Sequence, residues 1–399
     1  LYYAEHYHAK KTNRIIVLTP NEGLSRQHYE ELKASNMHVE MFSKQGMGGM
    51  FQGKGVEIID INKLADKDGD KTVAVESFEG NNLVLVDEGH KGSSGDVWMG
   101  YRQKLTEEGF SFEYSATFGQ AISAKSNAKD RKAMFEQYGK ATLFDYSYRY
   151  FYADGYGKDY RIMNMNDWND DELLDMYLTA YLLCLYEQAK IYGSDARIHN
   201  KFLVENPLGI FVGSSVKAVS KENKREVSDV TQVLLFLQNF IDNPNQAFTT
   251  YIRRLLSSDD GLKTKNGYSV FGTSFQTLKK GMAVEDDKQK FADNIYRGIL
   301  KELFHSTISG AKLHIDLQKG GFEEIGLRVG NSPYFGVINV GDGKELVKLL
   351  QANGFLCEVK AFGTASLFAT INSPQSSVNI LIGSKKFTEG WSSWRVSVM

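Results

Sequence analysis

Leu83-Val84-Leu85-Val86-Asp87-Glu88-Gly89-His90 is the stretch that decides how the chain is read. Four apolar residues in a row predict a strand buried on both faces, and in open parallel sheets ligands gather beyond the carboxyl ends of the strands. Asp87 and Glu88 stand at that end. One carboxylate there can hold Mg²⁺ while its neighbour orients a water for phosphoryl transfer. Alone, Asp-Glu also describes an acidic surface turn. A second string, Phe112-Glu113-Tyr114-Ser115-Ala116-Thr117-Phe118, closes a further short apolar and aromatic run with small hydroxyl residues. It follows after roughly 25 residues, the length that one crossover helix and its loops require, so two strand tips are expected to face one crevice.

Taken together, Asp87-Glu88-Gly89-His90 and Ser115-Ala116-Thr117 resemble motifs II and III of superfamily 2 helicases and translocases. More narrowly, the chain resembles the DEAD/DEAH-like helicases related to the Res (motor) subunit of type III restriction enzymes. Ile15-Ile16-Val17-Leu18-Thr19-Pro20-Asn21-Glu22-Gly23-Leu24 looks like the family's motif Ia, a strand running into a loop that touches the nucleic-acid backbone. The chemistry suits that role, since Thr19, the Asn21 side chain beyond Pro20 and the amides opening the next helix can donate to phosphate oxygens. The same residues also read as a capped helix start.

Val378-Asn379-Ile380-Leu381-Ile382-Gly383 predicts another buried strand, leading into Thr388-Glu389-Gly390-Trp391-Ser392-Ser393-Trp394-Arg395. This resembles motif V, which implies a nucleic-acid contact at Thr388 and a nucleotide-side loop at Glu389, Gly390, Trp391 and Ser392. Many relatives place Asp after Gly-Trp, where it reaches the ribose; Ser392 stands there instead. Trp391 and Arg395 suit either stacking and phosphate pairing or simple packing.

The resemblance implies an α/β fold of two RecA-like parallel-sheet domains with a mostly helical insertion, and ATP and Mg²⁺ as cofactors. Asp87 would hold Mg²⁺, Glu88 would orient the water, and His90 would couple nucleotide state to Ser115 and Thr117. The implied partner is nucleic acid, DNA rather than RNA, with a modification or nuclease subunit alongside in a restriction or phage-defence system. Such a motor needs a G-x-x-x-x-G-K-[ST] loop to cradle phosphates. Gly48-Gly49-Met50-Phe51-Gln52-Gly53-Lys54-Gly55 has the spacing and the lysine, but Gly55 replaces the hydroxyl. Val56-Glu57-Ile58-Ile59-Asp60-Ile61 then reads as a strand, whereas a phosphate loop opens a helix. Leu1-Tyr2-Tyr3-Ala4-Glu5-His6-Tyr7-His8 reads as the tail of a helix, so the phosphate loop is expected upstream of Leu1 and motif VI beyond Met399. On that reading these residues alone are inactive in turnover.

With 42% hydrophobic and 24% charged residues, the chain can fill the cores of two or more domains. Its net charge of −2 argues against a protein basic throughout but not against a local basic groove. Cys184 and Cys357 form neither a disulfide framework nor a zinc site, which points to a reducing, cytoplasmic setting. No apolar run reaches the roughly 20 residues of a membrane span, the nearest being Tyr177 to Tyr186. No H-E-x-x-H pair supports a metalloprotease.

Along the chain, 1–160 alternates strands and helices as a first RecA-like (helicase ATP-binding) domain, N-terminally truncated. Asp170-Asp171-Glu172 opens a long helix, acidic at its start as the dipole favours, within an inter-domain linker at 161–205. Pro207 to Ser215 opens a second RecA-like domain (206–223), residues 224–325 with apolar spacing near 3.6 form the insertion, and 326–399 complete the second domain, truncated in turn. Two other functions are weighed. A catalytically inactive RecA-like scaffold would bind nucleic acid without turnover. A metal-dependent nuclease would be centred on Glu358-Val359-Lys360, with Asp342 as the nearby acid. The Tyr-rich stretch from Tyr146 to Tyr160, with Arg149, Lys158 and Arg161, suits base stacking or an aromatic packing connection.

Overall fold

The computed structural model describes residues 12–43, 55–92, 96–123, 127–164, 171–194, 196–213, 220–222, 225–227, 229–308, 310–318, 324–340, 343–360, 366–384 and 391–399. Leu1–His8, the glycine-rich run from Gly48 to Lys54, Asp170, Ser214, Ser215, Asp342 and the motif V residues Thr388, Glu389 and Gly390 lie outside them. The chain divides into two units, Leu1–Tyr160 and Arg161–Met399.

The first unit contains β1 (Arg14–Thr19), β2 (Val39–Met41), β3 (Val56–Asp60), β4 (Leu64–Ala65), β5 (Val73–Ala74), β6 (Asn82–Val86) and β7 (Phe110–Glu113). Its main sheet has the order β2-β3-β1-β6-β7, and every pairing in it is parallel. Side chains of β1 alternate between two cores because successive Cβ atoms leave opposite faces of a strand. Ile16 and Leu18 join Ile59, Phe78, Val84, Val86 and Leu105 on one side. Ile15 and Val17 join Val56 and Ile58 on the other, beneath Tyr29 and Leu32 of helix Glu22–Ala34. Burial on both faces is what the unbroken apolar runs predict for a parallel sheet. After Gly55, Val56–Asp60 is indeed a strand and not a helix.

This strand order sets the position of the site. From β1 the chain runs to β2 at the sheet edge and returns to β3 between them, and β6 and β7 extend the other side. The order therefore reverses between β1 and β6, and the loops leaving these strands diverge to open a crevice at their carboxyl ends. Thr19 and Asp87 lie there.

The second unit contains β8 (Leu208–Gly213), β9 (Ser220–Glu222), β10 (Arg225–Val227), β11 (Leu313–Gln318), β12 (Ile325–Val329), β13 (Gly336–Asn339), β14 (Leu356–Lys360), β15 (Ile380–Ser384) and β16 (Val396–Val398). Its main sheet runs β14-β11-β12-β13-β15-β8-β16. Parallel pairs make up most of it, but β12 is antiparallel to both β11 and β13. The connections on either side of β12 are too short for a parallel crossover, so the chain turns back as a meander. The antiparallel β12 is a local excursion within an α/β unit whose sheet is otherwise parallel, and β11 joins that sheet from inside the segment read as helical.

The helical segment is otherwise as its spacing predicts. Helices Asp229–Asp242, Ala247–Leu256, Gln276–Ala283 and Lys288–Phe304 share one core, in which Phe240 touches Phe248, Tyr296 and Phe304. Helix Asp171–Ser194, read from sequence as a link, lies within the core of this unit. Met176, Ala180, Leu182, Leu183 and Leu185 are wholly buried, and the Tyr181 ring packs, tilted, against Phe211 of β8 with centroids 4.2 Å apart. A helix apolar on most of its circumference is a buried one.

Candidate nucleotide and strand-coupling site

The site begins with the turn after β1. Asn21 caps helix Glu22–Ala34, its Oδ1 accepting from the Leu24 amide at 3.0 Å. Thr19 is fully buried, and its hydroxyl lies 2.6 Å from Ser25 Oγ and donates to the Asn21 carbonyl at 3.1 Å. The capped-start reading is therefore what the structure shows. The Thr19 hydroxyl is engaged inside the turn, which leaves Pro20, Asn21 and the first-turn amides as the outward part. Asn21→Ala should cost about 1 kcal/mol of stability, read as a lowered urea midpoint; an unchanged midpoint would contradict the cap.

Across the crevice, the Asp87 amide donates to the Leu18 carbonyl at 2.9 Å, so the tip of β6 stays in register with β1. Asp87 Oδ1 accepts from the Glu88 amide at 2.9 Å, and Oδ2 lies 2.9 Å from His28 Nε2 on the helix after β1. The His28 contact holds the Asp87 carboxyl below its usual range, and Asp87 in turn raises His28. Glu88 has φ +51°, a left-handed conformation that L residues adopt reluctantly.

The second tip meets the first through His90. Its Nδ1 lies 2.8 Å from Ser115 Oγ and 3.1 Å from Glu88 Oε2. Ser115 Oγ accepts from the Thr117 amide at 3.0 Å and lies 3.4 Å from Thr117 Oγ1. The backbone joins them as well, since Gly89 N donates to the Tyr114 carbonyl at 2.9 Å. Asp87, Glu88, His90, Ser115 and Thr117, separated in sequence, thus form one connected group at the switch point.

Beneath it lies a buried support that the sequence reading missed. Glu113, the last residue of β7, forms an ion pair with Arg102 Nη1 at 2.7 Å, and the same nitrogen donates to Tyr138 Oη at 3.1 Å. Burial pushes the Glu113 carboxyl up, with Arg102 opposing. Gly89 packs on this group: a Cβ there would come 2.9 Å from Glu113 Oε2 and 3.1 Å from Phe118 Cζ. Gly89→Ala should therefore lose about 1–3 kcal/mol and separate the two strand tips, seen as a lowered melting temperature. A wild-type melting curve would contradict that packing.

The donor set fits Mg²⁺, which takes one or two protein carboxylates and fills its remaining positions with water and substrate phosphate. Asp87 supplies one such carboxylate, about a quarter exposed, with each oxygen still carrying a lone pair beyond its present partner.

The motif V residues that are described behave differently. Trp391 packs on Phe368, ring centres 5.8 Å apart, at the edge of a core with Val337 and Leu381. The Ser392 carbonyl accepts from Asn372 at 3.2 Å. Arg395 is 4% exposed and donates to the Asn206 and Val378 carbonyls, both at 2.8 Å, and to that of Ile371. Packing, not phosphate, occupies Trp391 and Arg395. In the Tyr-rich stretch the exposed rings of Tyr148 and Tyr152 stack on each other at 6.0 Å, and the Tyr146 hydroxyl donates to Asp154 at 2.6 Å.

Glu358 and Lys360 form an ion pair on β14. Asp316 of β11 stands opposite Glu358 in register, while Asp342 lies outside the described residues. It is fully buried, bonded by Arg328 Nε at 2.7 Å and the Tyr334 hydroxyl at 2.8 Å. With each acid already neutralised by a neighbouring cation, the arrangement does not favour nuclease chemistry. Among the described residues no group of three or more His, Cys, Asp or Glu is placed to hold a metal ion.

The solved structure of the helicase domain of Hef from Pyrococcus furiosus is similar to this chain. The match covers 98% of this chain and 79% of that one, at 12% identity and a TM-score of 0.32. So distant a likeness assigns no activity. No protein-family description and no curated protein matches the chain. Among the described residues, no helix is long and apolar enough to cross a membrane.

Proposed function

We propose that the chain is part of an ATP-dependent motor that moves along nucleic acid, a helicase or translocase acting on DNA. The observation that carries this reading is the chain of contacts from Glu88 through His90 to Ser115 and Thr117, at the point where the strand order of the first sheet reverses. A nucleotide site needs acids at that crevice. A motor needs, in addition, a link from those acids to a second strand tip, and His90 makes it.

In this account Asp87 would hold the metal, which would supply charge to offset that developing on the transferred phosphoryl group. Glu88, whose carboxylate lies 3.1 Å from His90 Nδ1, orients the attacking water. His90 passes the position of Glu88 to Ser115, and Ser115 holds Thr117 through its amide. Pro20, Asn21 and the amides opening helix Glu22–Ala34 bind the strand's phosphates without reading sequence, and Thr19 keeps that turn in shape. Thr388, Glu389, Gly390, Trp391 and Ser392 carry the nucleic-acid and nucleotide-side roles that the motif V resemblance implies, with Trp391 acting by packing. The phosphate-cradling loop is assigned to a segment outside these motifs. The two unpaired cysteines suit a cytoplasmic setting, and a restriction or defence complex with a modification or nuclease subunit is the setting the motif resemblance favours.

The reading is tested by fluorescence anisotropy of labelled single-stranded DNA with the whole protein, titrated with salt, with and without Mg²⁺·ATP. Affinity should fall linearly with the logarithm of salt concentration and change when nucleotide is added. Binding indifferent to nucleotide would favour the inactive scaffold instead.

A further inference from the structure

We infer that His28 is a positioning residue for Asp87, tying the metal-binding strand tip to the helix that opens at the strand-binding turn. The inference rests on the motor reading above and adds to it a residue that no motif contains.

The Asp87 carboxylate is held from two sides. Oδ1 accepts from the Glu88 amide and Oδ2 meets His28 Nε2, each at 2.9 Å, while the Asp87 amide is bound to β1. The Glu88 amide moves with Asp87, so it cannot by itself fix the carboxylate against the rest of the unit. His28 can, because it comes from a different element, 59 residues away in the chain. A ring nitrogen on a ligand's free oxygen is how outer groups orient metal-binding side chains.

His28 also lies on the helix whose first turn is locked to the strand-binding loop. Asn21 caps that helix, and Ser25, within the same helix, is bonded to Thr19 at 2.6 Å. The helix is rigid between Ser25 and His28, so a strand that shifts the turn at Pro20 and Asn21 also shifts His28. The Asp87 carboxylate then turns with it. The groups facing His28 are Asp87 and, on its own helix, Glu31; neither is a donor able to substitute for the imidazole.

The test compares wild-type whole protein with His28→Ala, and with His28→Gln, whose amide nitrogen reaches the Nε2 position. Isothermal titration measures ADP binding with and without Mg²⁺, and turnover measures the stimulation by single-stranded DNA. Loss of His28 should weaken Mg²⁺·ADP binding about tenfold or more while leaving metal-free ADP binding unchanged. DNA stimulation should fall as well, and His28→Gln should restore most of both. In an Asp87→Asn background, His28→Ala should add nothing. Wild-type Mg²⁺·ADP affinity in His28→Ala overturns this inference alone. A wild type that binds no Mg²⁺·ADP overturns the motor reading and the inference with it. Unequal folding is read separately from urea midpoints; equal weakening of ADP with and without metal would mark His28 as merely structural and overturn the proposal.

Discussion

Glu88→Gln in the whole protein is expected to bind ATP and a single strand as the wild type does, and to hydrolyse ATP about 10²- to 10⁴-fold more slowly. The substitution keeps size and shape, so the left-handed backbone at φ +51° and the approach of His90 at 3.1 Å are preserved. What disappears is the negative charge that draws a proton from water. Binding depends on groups the change does not touch, namely Asp87, the Pro20–Asn21 turn and the phosphate-binding segment. Single-turnover hydrolysis separates the two effects. Near-normal hydrolysis by the variant would remove Glu88 from the chemistry and leave its strained backbone without a functional reason.

The second large effect is on stability. Arg395→Ala should lower the unfolding free energy by about 2 kcal/mol or more, because two buried carbonyls and a half-buried one lose their donor, and each buried one costs about 1–3 kcal/mol when left unpaired. Arg395 stands before β16 and binds Asn206 ahead of β8, Ile371 in the neighbouring turn, and Val378 ahead of β15. Its own carbonyl accepts from Leu208 at 2.8 Å. Burial lowers its pKa, yet the five donors of a guanidinium still suit a site of several carbonyls. Arg395→Lys should recover only a small part, since one ammonium cannot span the same set of acceptors. Equilibrium urea unfolding measures this, and an unshifted midpoint for Arg395→Ala would show that the carbonyls find other donors.

Much of the first unit was legible because its signals are local. Ile15 to Leu18 and Leu83 to Val86 are apolar without interruption, which only a strand covered on both faces tolerates, and the polar residues that follow mark the tips. Asn21 announced a helix start by residue type alone. His28 carried no such signal: nothing near it in the sequence points to Asp87, and their contact exists only because β1 and β6 are neighbours in the sheet. Glu113 stood in view within the second motif, but its partner Arg102 comes from the helix before β7.

The second unit was harder to read for a different reason. Leu313–Gln318 alternates, with His314, Asp316 and Gln318 facing away from the core that receives Leu313, Ile315 and Leu317. Alternation of that kind belongs to a strand near a sheet edge, but it follows several helices and was absorbed into their segment. Arg395 misled in the opposite direction. Beside Trp394 and within a motif-like string, it resembles a phosphate ligand, and only its burial among three carbonyls identifies it as a staple.

The most direct test of the account is steady-state ATP hydrolysis by the whole protein, with and without single-stranded DNA, alongside Asp87→Asn. The account predicts Mg²⁺-dependent hydrolysis that DNA stimulates and that Asp87→Asn abolishes. Hydrolysis absent in the wild type under conditions where it binds DNA, or unaffected by Asp87→Asn, would contradict it.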